Sequence, residues 1–115
     1  MIQTVALPQI VNTQDSTKYS AEFNTGNIDD SVVKIISSAG DITVTQQGSV
    51  DGGANWYDIE NGAGTVIGTM VATMTVGTKV VTGGLKFAPS SRFKVVENDT
   101  AATNVDISVA IRTKI

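Results

Sequence analysis

The segment from Val105 to Arg112 alternates without a break. Val105, Ile107, Val109 and Ile111 fall on one side, and Asp106, Ser108, Ala110 and Arg112 on the other. A two-residue period of this kind predicts an antiparallel strand with one face in a core and the other in water. The same period runs through "KYSAEF" (Lys18 to Phe23), which puts Tyr19, Ala21 and Phe23 on one face, and through Ile42 to Val50, where Ile42 and Val44 oppose Thr43 and Thr45. "SVVKIIS" (Ser31 to Ser37) is a run of β-branched residues between turn formers and reads as a largely buried strand; "RFKVVE" (Arg92 to Glu97) reads as another. From Thr65 to Val81 the chain is rich in Val, Thr and Met, with glycines at 68 and 77, and predicts two short strands bent at those glycines.

Turn signals separate these runs: "NTGN", "SAGD", "NGAG", "TGGLKFAPSS" and "NDTAATN". No segment carries the 3.6-residue period of an amphipathic helix. About eight short strands joined by turns predict an all-β fold, an antiparallel β-sandwich or jelly roll, with a small β-barrel as the alternative.

Residues 1–14 stand apart. Pro8 interrupts a series of apolar residues without a clean period, so the stretch reads either as an N-terminal arm or as a first edge strand, ahead of a sandwich domain over residues 15–115. Extended at roughly 3.3 Å per residue, an arm of this length would reach about 45 Å. Ile2, Val5, Leu7 and Pro8 are its candidate contacts with a neighbouring partner, by addition of a strand to an exposed sheet edge.

Composition narrows the chemistry. The 115 residues suit one domain, with 41% hydrophobic and 17% charged residues. There is no cysteine and no histidine, which removes disulfides, thiolate and imidazole metal sites, His-based triads and Cys nucleophiles. Carboxylates are the remaining strong bases, and no pair of them stands out; no catalytic residue is assigned and the chain reads as a non-enzyme. A net charge of -3 with scattered Lys and Arg argues against nucleic acid as a partner. No apolar run is long enough for a membrane helix, and the N-terminus lacks the pattern of a signal peptide, so the expected place of synthesis and assembly is the cytoplasm.

One stretch is unusual: "QGSVDGGANWYDIENGAG" (Gln47 to Gly64) holds the single tryptophan and five glycines. Its two flanks predict a hairpin across "DGGA". Ser49, Asp51, Gly53 and Trp56 stand in the order S-x-D-x-G-x-x-W, which is similar to the Asp-box of sialidases and other β-proteins. That resemblance implies a structural hairpin in which the Asp accepts hydrogen bonds from turn amides, the Gly takes a positive φ and the aromatic ring packs beneath the turn. A calcium loop using Asp51, Asn55 and Asp58 lacks an oxygen ligand at its third position, where Gly53 stands, so neither metal nor cofactor is assigned. Neighbours in a strand point to opposite faces, which argues against Trp56 and Tyr57 as a two-ring sugar platform. A lone tryptophan is expected in the core.

Taken together, "ITVTQQGSVDGGANWYDI", the "GAGT" turn and "FAPSSRFKVVENDTAATNVDISVAIR" resemble a family of small structural proteins of tailed bacteriophages, over roughly Ile42 to Thr113. Its pattern resembles "tvqgSxDGxxWyd", then "rylrlxsgtsaaxN" and a final alternating strand. The resemblance implies a virion component with a sandwich or jelly-roll fold. A capsid decoration (cement) protein fits best, binding the major capsid protein as a homotrimer and stabilising the shell. A tail or head-tail accessory protein, and a carbohydrate-binding sandwich module with Trp56 or Tyr57 exposed, are the alternatives. The doubled glycine of "DGGAN" and the long middle section Thr65 to Val81 depart from the family pattern.

Overall fold

The computed structural model describes residues 2–39, 41–98 and 101–114. It is an antiparallel β-sandwich of ten strands with no helix among the described residues. The first sheet has the order β1 (Ile2–Ala6), β10 (Thr103–Thr113), β4 (Ile28–Ser37), β8 (Gly77–Thr82), and β2 (Ile10–Asn12) continues along the β10 edge beyond β1. The second has the order β3 (Thr17–Tyr19), β9 (Ser90–Glu97), β5 (Ile42–Ser49), β6 (Tyr57–Asp58), and β7 (Thr69–Met74) shares the β5 edge with β6. The sheets stay separate rather than closing into a barrel.

The core follows from the alternation. Val33 and Ile35 of β4 and Val105, Ile107, Val109 and Ile111 of β10 face Ile42 and Val44 of β5 and Phe93 and Val95 of β9, all essentially inaccessible to solvent. Each such side chain contributes about 1.5–3 kcal/mol on burial. Phe23 stacks on Phe93 with ring centroids 5.0 Å apart.

"KYSAEF" does not keep one face. Tyr19 and Ala21 are exposed while Phe23 is buried. Ser20 donates its amide to the carbonyl of Phe93, and Phe23 exchanges both backbone bonds with Ser91, so three residues here advance along two of β9. The extra residue inverts the pleat between Tyr19 and Phe23.

Residues 2–12 lie on this molecule's own sheet. β1 pairs with β10 from Ile2↔Arg112 to Ala6↔Ser108, and after Pro8 the chain pairs again from Ile10 to Asn12. Leu7 is buried and Val5 packs against the core, so of the candidate arm residues only Ile2 and Pro8 face outward. Of the two readings of this stretch, the structure shows the edge strand, because apolar Val5 and Leu7 find their burial within the same molecule. Asp29 and Asp30, among the turn formers that precede "SVVKIIS" in sequence, stand in β4 and bond Arg112 of β10 at 3.1 and 3.5 Å.

Candidate functional site

The turn between β5 and β6 is built on Asp51. Its Oδ1 accepts from the Ser49 hydroxyl at 2.7 Å and the Asn55 amide at 3.0 Å, and its Oδ2 accepts from Asn55 Nδ2 at 2.8 Å. Ser49 Oγ in turn accepts the Gly53 amide at 2.9 Å, while Gly52 and Gly53 take φ of +73° and +90°. The hydrogen bonds from Asn55 and Ser49 lower the Asp51 carboxyl to a pKa of about 2. Asp58, the other acid of the calcium alternative, is engaged elsewhere, and no group of three acidic side chains gathers to hold a metal among the described residues.

Trp56 is not in the core. It is half-buried on the outer face of the second sheet, where the Arg92 guanidinium lies 4.5 Å from its ring centroid and 3.9 Å from that of Tyr19. The reason lies in the parity of β6: Asp58 stands opposite Gln47 and bonds it on the outer face, and Trp56, two residues earlier, falls on the same side.

From Arg92 a polar row crosses the same face. Arg92 Nε donates to Gln47 Oε1 at 2.9 Å, Gln47 Nε2 to Asp58 Oδ1 at 2.9 Å, and Lys94 Nζ to Asp58 Oδ2 at 2.8 Å. Burial raises the Asp58 pKa, but the bonds from Lys94 and Gln47 and the ammonium charge outweigh it, and the carboxyl stays below its usual range. Tyr19, Gln47, Trp56, Asp58 and Lys94 line one open depression, with Tyr57 and Glu60 at its rim.

A second surface lies at the adjoining end of the sandwich. Val50, Tyr57 and Phe87 are 83%, 65% and 64% exposed. They border a mostly apolar depression together with Ile59, Ala88 and Pro89. The loop that presents Phe87 is clamped on both sides. Buried Gln46 accepts the Lys86 amide at 2.8 Å and donates to the Lys86 carbonyl at 2.9 Å; buried Thr25 accepts the Ala88 amide and donates to the Ala88 carbonyl, both at 3.2 Å. Phe87 is therefore held out to solvent by two side chains of the interior.

Sequence reading placed Ser49, Asp51, Gly53 and Trp56 in one turn, and the structure puts the first three into its hydrogen-bonded frame with Trp56 beside it. It missed Tyr19, Gln47, Arg92, Lys94 and Phe87. A signal existed for two: in "RFKVVE", inward Phe93 and Val95 force Arg92 and Lys94 outward. Nothing in the sequence showed that β3, β9 and β6 would bring Tyr19, Arg92 and Trp56 together.

No family model and no curated protein matches the chain. Among solved structures it is similar to the Yersinia pseudotuberculosis-derived mitogen, with a TM-score of 0.50 and 13% identity over 100% of this chain and 89% of that one. It is also similar to a carbohydrate-binding module from Cellvibrio mixtus lichenase 5A solved in complex with cellotriose, with a TM-score of 0.37 and 16% identity over 97% of this chain and 91% of that one. At 13% identity the likeness to the mitogen establishes the all-β sandwich fold alone.

Proposed function

We propose that the chain is a non-enzymatic structural protein of a tailed-phage virion, a capsid decoration (cement) protein that attaches to the outer surface of the major capsid protein as a homotrimer. The observation that carries the reading is the clamped apolar end: Val50, Tyr57 and Phe87 stand exposed around one depression while Gln46 and Thr25 hold the Phe87 loop rigid. Exposed apolar surface of this kind marks interaction sites. A side chain ordered before contact loses little entropy on docking. The sequence resemblance over Ile42 to Thr113 supplies the partner. Edge strand β1, with Ile2 outermost, offers a second line of contact along its unpaired backbone.

Mechanically the protein works by buried area. Specific interfaces bury about 1,200–2,000 Å² in total, and many copies over a shell add their contacts by avidity. The test is the copy number in purified virions of the phage encoding the chain, by gel densitometry against the major capsid protein. A ratio near one to one is the expected result. A few copies per particle would move the protein to the tail or the head-tail junction, and absence from virions would overturn the reading.

A further inference from the structure

The outer face of the second sheet holds a polar and aromatic site that adjoins the Phe87 end, with Tyr57, Asp58 and Glu60 on the border between them. Tyr19 and Trp56 flank Arg92, and the row Arg92, Gln47, Asp58, Lys94 runs along the floor with every link between 2.8 and 2.9 Å. Each group is oriented before any ligand arrives, so little ordering cost remains. Each also keeps spare capacity. A carboxylate accepts at about four positions and Asp58 uses two here; an ammonium has three N–H groups and Lys94 spends one.

Charge decides what fits. The depression carries the cation Lys94 and the acids Asp58 and Glu60, with Arg92 held beside it between Tyr19 and Trp56, so a phosphate or carboxylate ligand meets as much repulsion as attraction. Trp, Tyr and Arg also anchor protein interfaces. A protein laid over this face would, however, strip water from Asp58, Lys94 and Gln47 and have to match all of their remaining valences, a costly demand in a dry interface. A ligand with adjacent hydroxyls, each both donor and acceptor, meets them one by one, and its C–H faces pack on aromatic rings.

We propose that this depression binds a neutral oligosaccharide, its hydroxyls on Gln47, Asp58 and Lys94 and its apolar C–H surface beside the Tyr19–Arg92–Trp56 stack. A virion component so equipped would add surface-glycan adhesion to shell attachment.

Trp56 is the only tryptophan and reports directly on the site. The full chain is screened on a glycan array carrying neutral and sialylated glycans, and neutral hits are titrated against Trp56 emission and by calorimetry. Saturable binding of a neutral oligosaccharide is expected, weakened at least about tenfold by Tyr19→Ala and by Asp58→Asn, with melting curves confirming that both variants are folded. Phe87→Ala should bind the same glycan with unchanged affinity, which separates this site from the attachment surface. No neutral glycan bound, binding confined to sialylated glycans, or loss of capsid attachment in Tyr19→Ala would each overturn the proposal.

Discussion

Asp51 shows how a fully exposed residue can shape a turn. In the unfolded chain its carboxyl titrates near 3.8, and in the fold near 2, because only the ionised form accepts all the bonds from Asn55 and Ser49. A depressed folded pKa contributes stability that is complete above the unfolded value and is lost as pH falls toward the folded one. Asp51→Asn is therefore expected to lower the melting temperature by a few degrees at pH 7, with the gap to the parent closing between pH 3.8 and about 2; melting curves across pH 2–7 check it. Glycines sort in the same way by their surroundings. A Cβ on Gly68 would stand 2.7 Å from the Gln46 carbonyl oxygen, which belongs to the backbone and cannot swing aside, while one on Gly62 meets nothing. Gly68→Ala should cost about 1–3 kcal/mol and Gly62→Ala less than about 0.5 kcal/mol, read by urea unfolding. Trp56 marks where single-residue rules fail. Hydrophobicity assigned it to the core, but the pairing of β6 with β5 turns its side of the chain outward, and only the fold reveals that register.

Elements with an uninterrupted pattern were legible in sequence. The alternation at Val105 to Arg112 became the centre of β10, and the runs at Ser31, Ile42 and Arg92 became β4, β5 and β9 with ends displaced by a few residues. Each is flanked by partners on both sides, so the hydrophobic pattern alone sets its register. The element that misled is short and marginal: β3 gives way to a bulge that reverses Phe23. The two short strands expected between Thr65 and Val81 form as β7 and β8, but they divide between the sheets, β7 on β5 and β8 on β4, a partition no local pattern encodes. Edge strand β1 was open to two readings because an arm and an edge strand share the same apolar residues. A chain beginning at Gln9 separates them energetically. It loses buried Leu7 and five paired positions on β10, so denaturant unfolding should show a loss of at least about 2–5 kcal/mol, the range for removing a large core side chain. A dispensable arm would leave stability unchanged.

At the scale of the whole molecule, the interior is spent on two tasks at once. Most of it is apolar and holds the sheets together, but Gln46, wholly buried between them, gives its amide to Lys86 and Ser91, and Thr25 does the same for Ala88. The core thus fixes the position of an exposed side chain at the end of the sandwich, and under the proposed function stability and capsid attachment become separable by mutation. Phe87→Ser removes a side chain that is 64% exposed, so unfolding free energy should change by less than about 0.5 kcal/mol while retention on capsids falls by tenfold or more. Gln46→Leu leaves the buried Ser91 hydroxyl and the Lys86 amide and carbonyl without their partner, and should destabilise the fold by about 1–3 kcal/mol for each group left dry. It should also free the loop, so attachment falls although Phe87 is intact. Sedimentation of each variant with capsids stripped of the protein, beside urea unfolding of the isolated chain, reads both quantities. If Phe87→Ser sediments with capsids as the parent does, the apolar end is not the contact, and the unpaired edge of β1 becomes the surface to mutate next.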